Sequence, residues 1–539
     1  MSKCVHFPSM NWIPACDRDQ TFLLPPCIED YVSQDNPVRF LDAFVEQLDL
    51  RALGFGFPKQ NPQDRGRPGY QPGMLLKLYI YGYLNRIRSS RRLEQECARN
   101  LELIWLLRGL KPDFKTIADF RKDNAGPFKE VLQQFNQLCR KLRLFGGELM
   151  AIDGTKVKGC NSPAKNWSIT KLNKQRRELD QRLEEYLKAL DQADQQQGPG
   201  SGSLTAAQLQ DKIQQLKARK AGLEQKLQTL DQRGQTQLSA TDPDTRAMKG
   251  AKGHVVGYNV QGAVDAKHHL LVHTSLTNSV TDQGQLAVVA QAAKEQLQIQ
   301  RADIVADSGY YVTQNVKQCQ DMGLEVHMQE AKNSPSERAG LFGKVDFKYE
   351  AGRDCYQCPA GFELKKRRES VDQGRRLFHY DNPQACAQCP LKSRCTQSEF
   401  RTVGRWEHEA SIERLRAVVA AQPEKLRQRK NLIEHCWATF KWLMPEGFLL
   451  KGIKKAVAEL SLVHLAYNFK RALKVVGLAK LLEALSPETD LPGPKTTGSA
   501  QAKPLTGQPG AGSYPALEFW IGWTAGALLS DEYFKNECV

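Results

Sequence analysis

Two short apolar runs in this chain end in the same way. Leu149-Met150-Ala151-Ile152 leads straight into Asp153-Gly154, and Ile304-Val305-Ala306 leads into Asp307-Ser308-Gly309. Neither run is long enough for a buried helix, and turn residues bound both. Each therefore reads as a strand buried on both faces. One such ending is ordinary, because Asp-Gly is common turn chemistry. Two of them on strands of one sheet place two carboxylates at the same sheet edge, where ligands gather in α/β layers.

The surrounding segments supply that layer. A strand over 148–153 is followed by a helical insertion. Two strands then join through a turn in "HVVGYNVQGAVDAKHHLLVHTSL". A helix in "DQGQLAVVAQAAKEQLQI", the strand 303–307, a further helix and a strand at 324–329 complete an α/β order. The core is thus expected over 146–165 and 236–335. In the insertion, 166–235, Leu172, Leu179, Leu183, Tyr186 and Leu190 keep heptad steps, as do Leu209, Ile213, Leu216, Leu223, Leu227 and Leu230. With "QADQQQGPGSGS" between them, they predict an antiparallel coiled-coil hairpin.

Ahead of the core, 1–36 reads as irregular and 37–145 as an all-α domain. Phe40, Leu41, Phe44, Val45 and Leu48 share one face there, and Arg86, Arg88, Arg91 and Arg92 cluster between apolar segments. After the core come a Cys-rich unit (336–405) and a return to the core with a long helix and those following it (406–476). A linker rich in Pro, Gly and Ser (477–515) and a tail (516–539) close the chain.

A net charge of +16 is spread along the chain, in "NRIRSSRR", "KLNKQRR", "KLRQRK" and "KGIKK". Such a spread favours a nucleic acid partner, although solubility alone can also account for it. The N-terminus has no basic segment followed by an apolar one, and Phe519–Leu529 is too short for a bilayer, which takes about 20 residues. A cytoplasmic protein without membrane partners is expected. Its 14 cysteines then suggest metal rather than disulfides.

A third acid lies between Pro423 and Pro445. On a helix there, Arg427, Lys430, Glu434, Trp437 and Lys441 share a face, beside an apolar stripe of Ile433, Cys436, Phe440 and Leu443. Taken alone, Glu434 is a salt-bridge partner for Lys430. Joined with Asp153 and Asp307, it suits two Mg²⁺ ions, or Mn²⁺ in their place, acting on a phosphodiester. Basic neighbours would then hold DNA phosphates. Asp265, in a hairpin turn, and Asp282, expected to cap a helix, are weaker candidates.

"IDGTKVKG", "IVADSGYY" and "LRQRKNLIEHCWATFK" resemble the three catalytic blocks of the DDE transposases of bacterial insertion sequences. Glu434 and Lys441 keep that family's seven-residue separation, while Leu426 stands where an aromatic often begins the block. The resemblance, spanning about Val38 to Leu473, implies an α/β ribonuclease-H-like catalytic core. An N-terminal all-α DNA-binding domain, the helical hairpin and the Cys-rich unit would be appended to it. It implies Asp153, Asp307 and Glu434 as catalytic Mg²⁺ ligands and Arg427, Lys430 and Lys441 as DNA contacts. It further implies cut-and-paste transposition by a homodimer at the nucleoid, acting on double-stranded DNA at terminal inverted repeats and in a target. A catalytically silent DNA-binding remnant and a Mg²⁺-dependent nuclease without strand transfer are the alternatives.

Cys355, Cys358, Cys386, Cys389 and Cys395 have zinc-thiolate spacing, one more than a tetrahedron needs. A subgroup of these transposases resembles the chain at "CPAG" and "CPLKSRCT". That resemblance implies Zn²⁺ on Cys358, Cys386, Cys389 and Cys395 and leaves Cys355 as the extra thiol. A reduced, metal-free loop is the plainer reading.

Overall fold

The computed structural model describes residues 27–57, 69–195, 206–250, 253–330, 338–372 and 374–486. The first 26 residues, the tip of the expected hairpin, most of the expected linker and the tail lie outside them. All described residues belong to one compact unit, Met1–Ser486.

The fold is mixed α/β with a helical N-terminal region. Among the described residues, six α-helices precede the first strand: α1 (Val38–Glu46), α2 (Pro72–Leu84), α3 (Ser90–Arg99), α4 (Leu101–Leu106), α5 (Phe114–Asp123) and α6 (Ala125–Lys141). Strand β1 (Leu149–Lys158) follows. Short β2 (Asn166–Ser168) leads into α7 (Ile169–Gln195) and α8 (Ala206–Gln232), and β3 (Gln237–Ser239) pairs back with β2. The two long helices pack through Leu172, Leu223 and Leu230, with Lys220 and Asp180 paired at 2.7 Å.

Next come β4 (Arg246–Gly250), β5 (Gly253–Asp265), β6 (Leu271–Thr277), α9 (Leu286–Leu297), β7 (Ala302–Ala306), α10 (Thr313–Asp321) and β8 (Leu324–His327). The main sheet runs β6-β5-β1-β7-β8, with β4 also on β5. β5 is antiparallel to β1 and to β6, whereas β7 and β8 continue parallel to β1.

A five-stranded antiparallel sheet follows: β9 (Lys348–Glu350), β10 (Cys355–Gln357), β11 (Glu363–Asp372), β12 (Arg375–Asp381) and β13 (Thr402–Trp406). It has its own small core of Phe347, Tyr356, Leu364, Tyr380 and Val403. The chain ends in α11 (Glu409–Ala421), α12 (Pro423–Leu443), α13 (Ile453–Val476) and α14 (Leu478–Glu483).

Period-2 alternation divides the main sheet's core. Ala151, Val260, Val264 and Val305 pack with the N-terminal helices, α12 and α13. Met150, Ile152, Ile304 and Ala306 pack with α9, α10 and α11 on the other face. The N-terminal helices thus have no separate core. Phe469 of α13 inserts between Phe40 and Phe135, with ring centroids 4.8 and 5.6 Å away.

Two expectations need correction. The first strand does not end at Asp153. Its parallel neighbour stops at Ile152↔Ala306, but β5 goes on pairing with it through Lys158↔Gly257, so the backbone stays extended through Gly154. Nor does a linker begin at residue 477. Helix α14 forms there and buries Leu481, and Leu485 just after it is buried too, against the helical core.

Candidate active site at the sheet edge

The register Ile152↔Ala306 sets Asp153 and Asp307 side by side. Asp153 shares the parity of Ala151, and Asp307 that of Val305, so both carboxylates project on the face covered by α12. That helix approaches the sheet closely. Gly262 pairs with Asp153, and a Cβ on it would meet the Trp437 ring at 2.7 Å.

The helix delivers Arg429 between the two acids. Its Nη1 lies 3.6 Å from Asp153 Oδ2, and its Nη2 lies 3.9 Å from Asp307 Oδ2. Burial pushes the Asp153 carboxyl up to about 6. The Gly154 N–H and Arg429 oppose that rise, while the Asp282 and Asp307 carboxylates add to it. Asp307 is more exposed. It accepts from the Gly309 N–H at 3.3 Å and from the Ser308 hydroxyl at 3.0 Å, capping a short turn. The turn chemistry read in the sequence is therefore real at Asp307 and absent at Asp153.

Asp282 does not cap α9, whose N-cap is Gln285. Instead Asp282 Oδ1 accepts from Lys156 Nζ at 2.7 Å, Asn259 Nδ2 at 2.8 Å and Gln261 Nε2 at 2.7 Å. Tyr310, three residues after Asp307, donates its hydroxyl to Gln261 Oε1 and ties the end of β7 into this network. Gly154 now has a reason. A Cβ there would meet Asp282 Oδ1 at 2.7 Å and Gln261 Nε2 still closer. The glycine leaves room for the network rather than making a turn. Asp265 is fully buried and accepts from the N–H groups of Gly146, Gly147 and Lys267, so it fastens the chain entering β1.

Glu434 is exposed, and among the described residues no hydrogen bond or ion pair joins it to Asp153, Asp307 or Lys430. It follows Arg429 by five residues, which at 100° per residue turns it about 140° around the helix. Arg427 and Lys430 are exposed too. Desolvation of the Lys441 ammonium lowers its pKa against the pull of Asp153, which puts Lys441 within electrostatic reach of that carboxylate. Sequence reasoning passed over Arg429 and Lys156. Arg429 had a signal: it stands one turn ahead of Ile433, a cation at the end of an apolar stripe.

Cys358, Cys386, Cys389 and Cys395 line one cavity in the Cys-rich unit with Phe342 and Arg401, and Cys355 is not among the lining residues. All five thiols are free. Burial raises the Cys395 thiol, and the other three cavity cysteines add to the rise. Among the described residues no group of three or more His, Cys, Asp or Glu side chains stands close enough to hold a metal ion.

Residues 26–123 match the family described as Transposase domain (DUF772), and residues 357–473 match the one described as Transposase DDE domain. The chain is thus similar to transposases over these two stretches, the second of them to the DDE type. No curated protein matches it. The cryo-EM structure of a piggyBac transposase synaptic complex with hairpin DNA is similar over 85% of this chain and 87% of its own, at 10% identity and a TM-score of 0.24. That likeness is too slight to argue from. No described helix is long and apolar enough to cross a membrane.

Proposed function

We propose that this chain is a transposase that binds element-end DNA and performs metal-dependent strand cleavage and transfer on a ribonuclease-H-like core. The observation that carries the reading is the carboxylate pair where the parallel pairing of β1 and β7 stops, with a cation between the two acids. The order and directions of the main sheet support the core assignment.

The charge arrangement of the pair suits a divalent ion, although among the described residues no third ligating side chain stands close enough to complete a site in this arrangement. Two carboxylates, one of them desolvated, already share a single positive group. Asp153 and Asp307 would hold the metal, and Glu434 is the third carboxylate of the proposal. What a bound divalent cation supplies is activation of the attacking oxygen and charge relief at the leaving one. The chain's own groups do the rest. Lys156, Asn259 and Gln261 fix Asp282 beside Asp153. Arg427, Lys430 and Lys441 would hold phosphates along α12. Element ends, a target and a homodimer joining two ends complete the proposal.

The test uses full-length protein, Mg²⁺ and labelled DNA carrying the sequences that flank the gene. Cleavage followed by a joined product is expected, and both are lost in Asp307→Ala. Cleavage without joining would make the protein a nuclease. Binding without cleavage would make it a silent remnant.

The same proposal would put a structural zinc on Cys358, Cys386, Cys389 and Cys395, which line one cavity but do not stand close enough together in this arrangement to hold an ion, so that binding would have to draw them in. Protein purified without chelators is then expected to carry one zinc per chain by elemental analysis. Cys389→Ser should lose it and Cys355→Ser should keep it. A metal-free wild-type protein overturns the assignment.

A further inference from the structure

Helix α2 ends in a left-handed turn. Arg86 has φ of +61°, its N–H donates to the Tyr83 carbonyl, and the Ile87 N–H reaches back to the Gly82 carbonyl at 2.6 Å. Glycine is the residue that takes this position without steric cost. Arginine there accepts backbone strain, and its side chain shows what the strain brings.

The Arg86 guanidinium lies over the Trp442 ring, 4.4 Å from its centroid. Lys470 of α13 stands 5.0 Å from the same ring. Trp442 is 48% exposed, which is unusual for a side chain of its size, and it directly follows Lys441 on α12. Burial lowers the Lys470 ammonium pKa, and the neighbouring Arg86 charge lowers it further. Among the described residues, Arg86, Lys470 and Lys441 form no ion pair with a carboxylate.

Two cations that repel one another, Arg86 after α2 and Lys470 on α13, therefore gather on the Trp442 ring of α12. The π face of the indole offsets part of that repulsion and holds both in place. An unneutralised cluster of this kind is complementary to an anion. Trp442 stands on the same helix as Arg429, about 20 Å further along it, so the anion that fits is one long enough to run along α12 from the carboxylate pair.

We propose that Arg86, Lys470 and Trp442 form a phosphate clamp for the DNA strand running away from the Asp153–Asp307 pair. The clamp rests on the transposase reading and extends it to a surface shared by α2, α12 and α13. Arg86 and Lys470 contact the strand, and Trp442 positions them.

Arg86→Gly separates this role from packing, because it removes the cation and gives the turn its preferred residue. The full chain and its Arg86→Gly/Lys470→Gln variant are titrated with salt while binding a fluorescent duplex of mixed sequence, about 30 base pairs long. Each lost phosphate contact should reduce the slope of log affinity against log salt by about 0.9, or by about 1.8 for the pair. The thermal midpoint of Arg86→Gly should not fall. An unchanged slope overturns the clamp. So does a lowered midpoint with unchanged binding, which would make Arg86 a packing residue. Failure of the wild-type chain to bind the duplex at all would instead bring down the DNA reading beneath it.

Discussion

Replacing Asp153 by asparagine is expected to reduce DNA cleavage by about a hundred- to a thousandfold while leaving the fold intact. The substitution keeps shape and removes charge. Loss of a group that stabilises developing charge in a transition state costs on this scale. Burial already disfavours the Asp153 carboxylate, so the neutral amide should not lower stability. Cleavage rates and thermal midpoints of the two proteins check this together. Cleavage within tenfold of wild type would return Asp153 to a strand residue without chemistry.

The second large effect concerns stability. Glu459 of α13 has no exposed surface, and its Oε2 pairs with Arg88 Nη2 at 2.6 Å. Glu459 also accepts from the N–H groups of Leu449 and Leu450. The pair thus joins the loop after α2 to the segment between α12 and α13, and Arg88 Nη2 also donates to the Gly447 carbonyl at 2.6 Å. Glu459→Ala would leave a buried guanidinium with only the exposed Glu446 carboxylate, 3.7 Å from its Nη1, as counter-charge, and two backbone amides without an acceptor. Breaking one side of a buried pair costs about 3–5 kcal/mol. Denaturant titration should show that loss. Arg88→Met combined with Glu459→Leu should recover much of it, because apolar replacement of both partners removes the unpaired charge. A loss below about 1 kcal/mol in Glu459→Ala would mean that water reaches the pair.

How far the sequence reached can be judged residue by residue. The two strand-end acids were legible because an apolar run followed by Asp marks both a strand and its end. What failed was the inference that Asp153 ends its strand. Pairing with β5 is a long-range property, and β5 outlasts β7 by six residue pairs on β1, from Asp153 to Lys158. Asp282 was read from local helix-start chemistry, whereas its partners Lys156, Asn259 and Gln261 come from other strands. Arg429 was missed because the basic residues beside Glu434 drew attention to the exposed face of the helix. The stripe that meets the sheet carries the cation that reaches the acids. The shared core of the N-terminal helices and α13 was hidden for a similar reason. Phe40 and Phe469 are far apart in sequence, and periodicity on each helix says which face is buried but not against what.

Asp153 and Asp307 are proposed to hold a catalytic cation together, in the place Arg429 takes here. Manganese titration of the full-length protein, followed by electron paramagnetic resonance of free Mn²⁺, measures this without needing a DNA substrate. Saturable binding is predicted for the wild-type chain. It should be lost in Asp153→Asn/Asp307→Asn and tightened in Arg429→Gln, which removes the competing charge. Equal Mn²⁺ binding by the wild type and the double variant would contradict the claim.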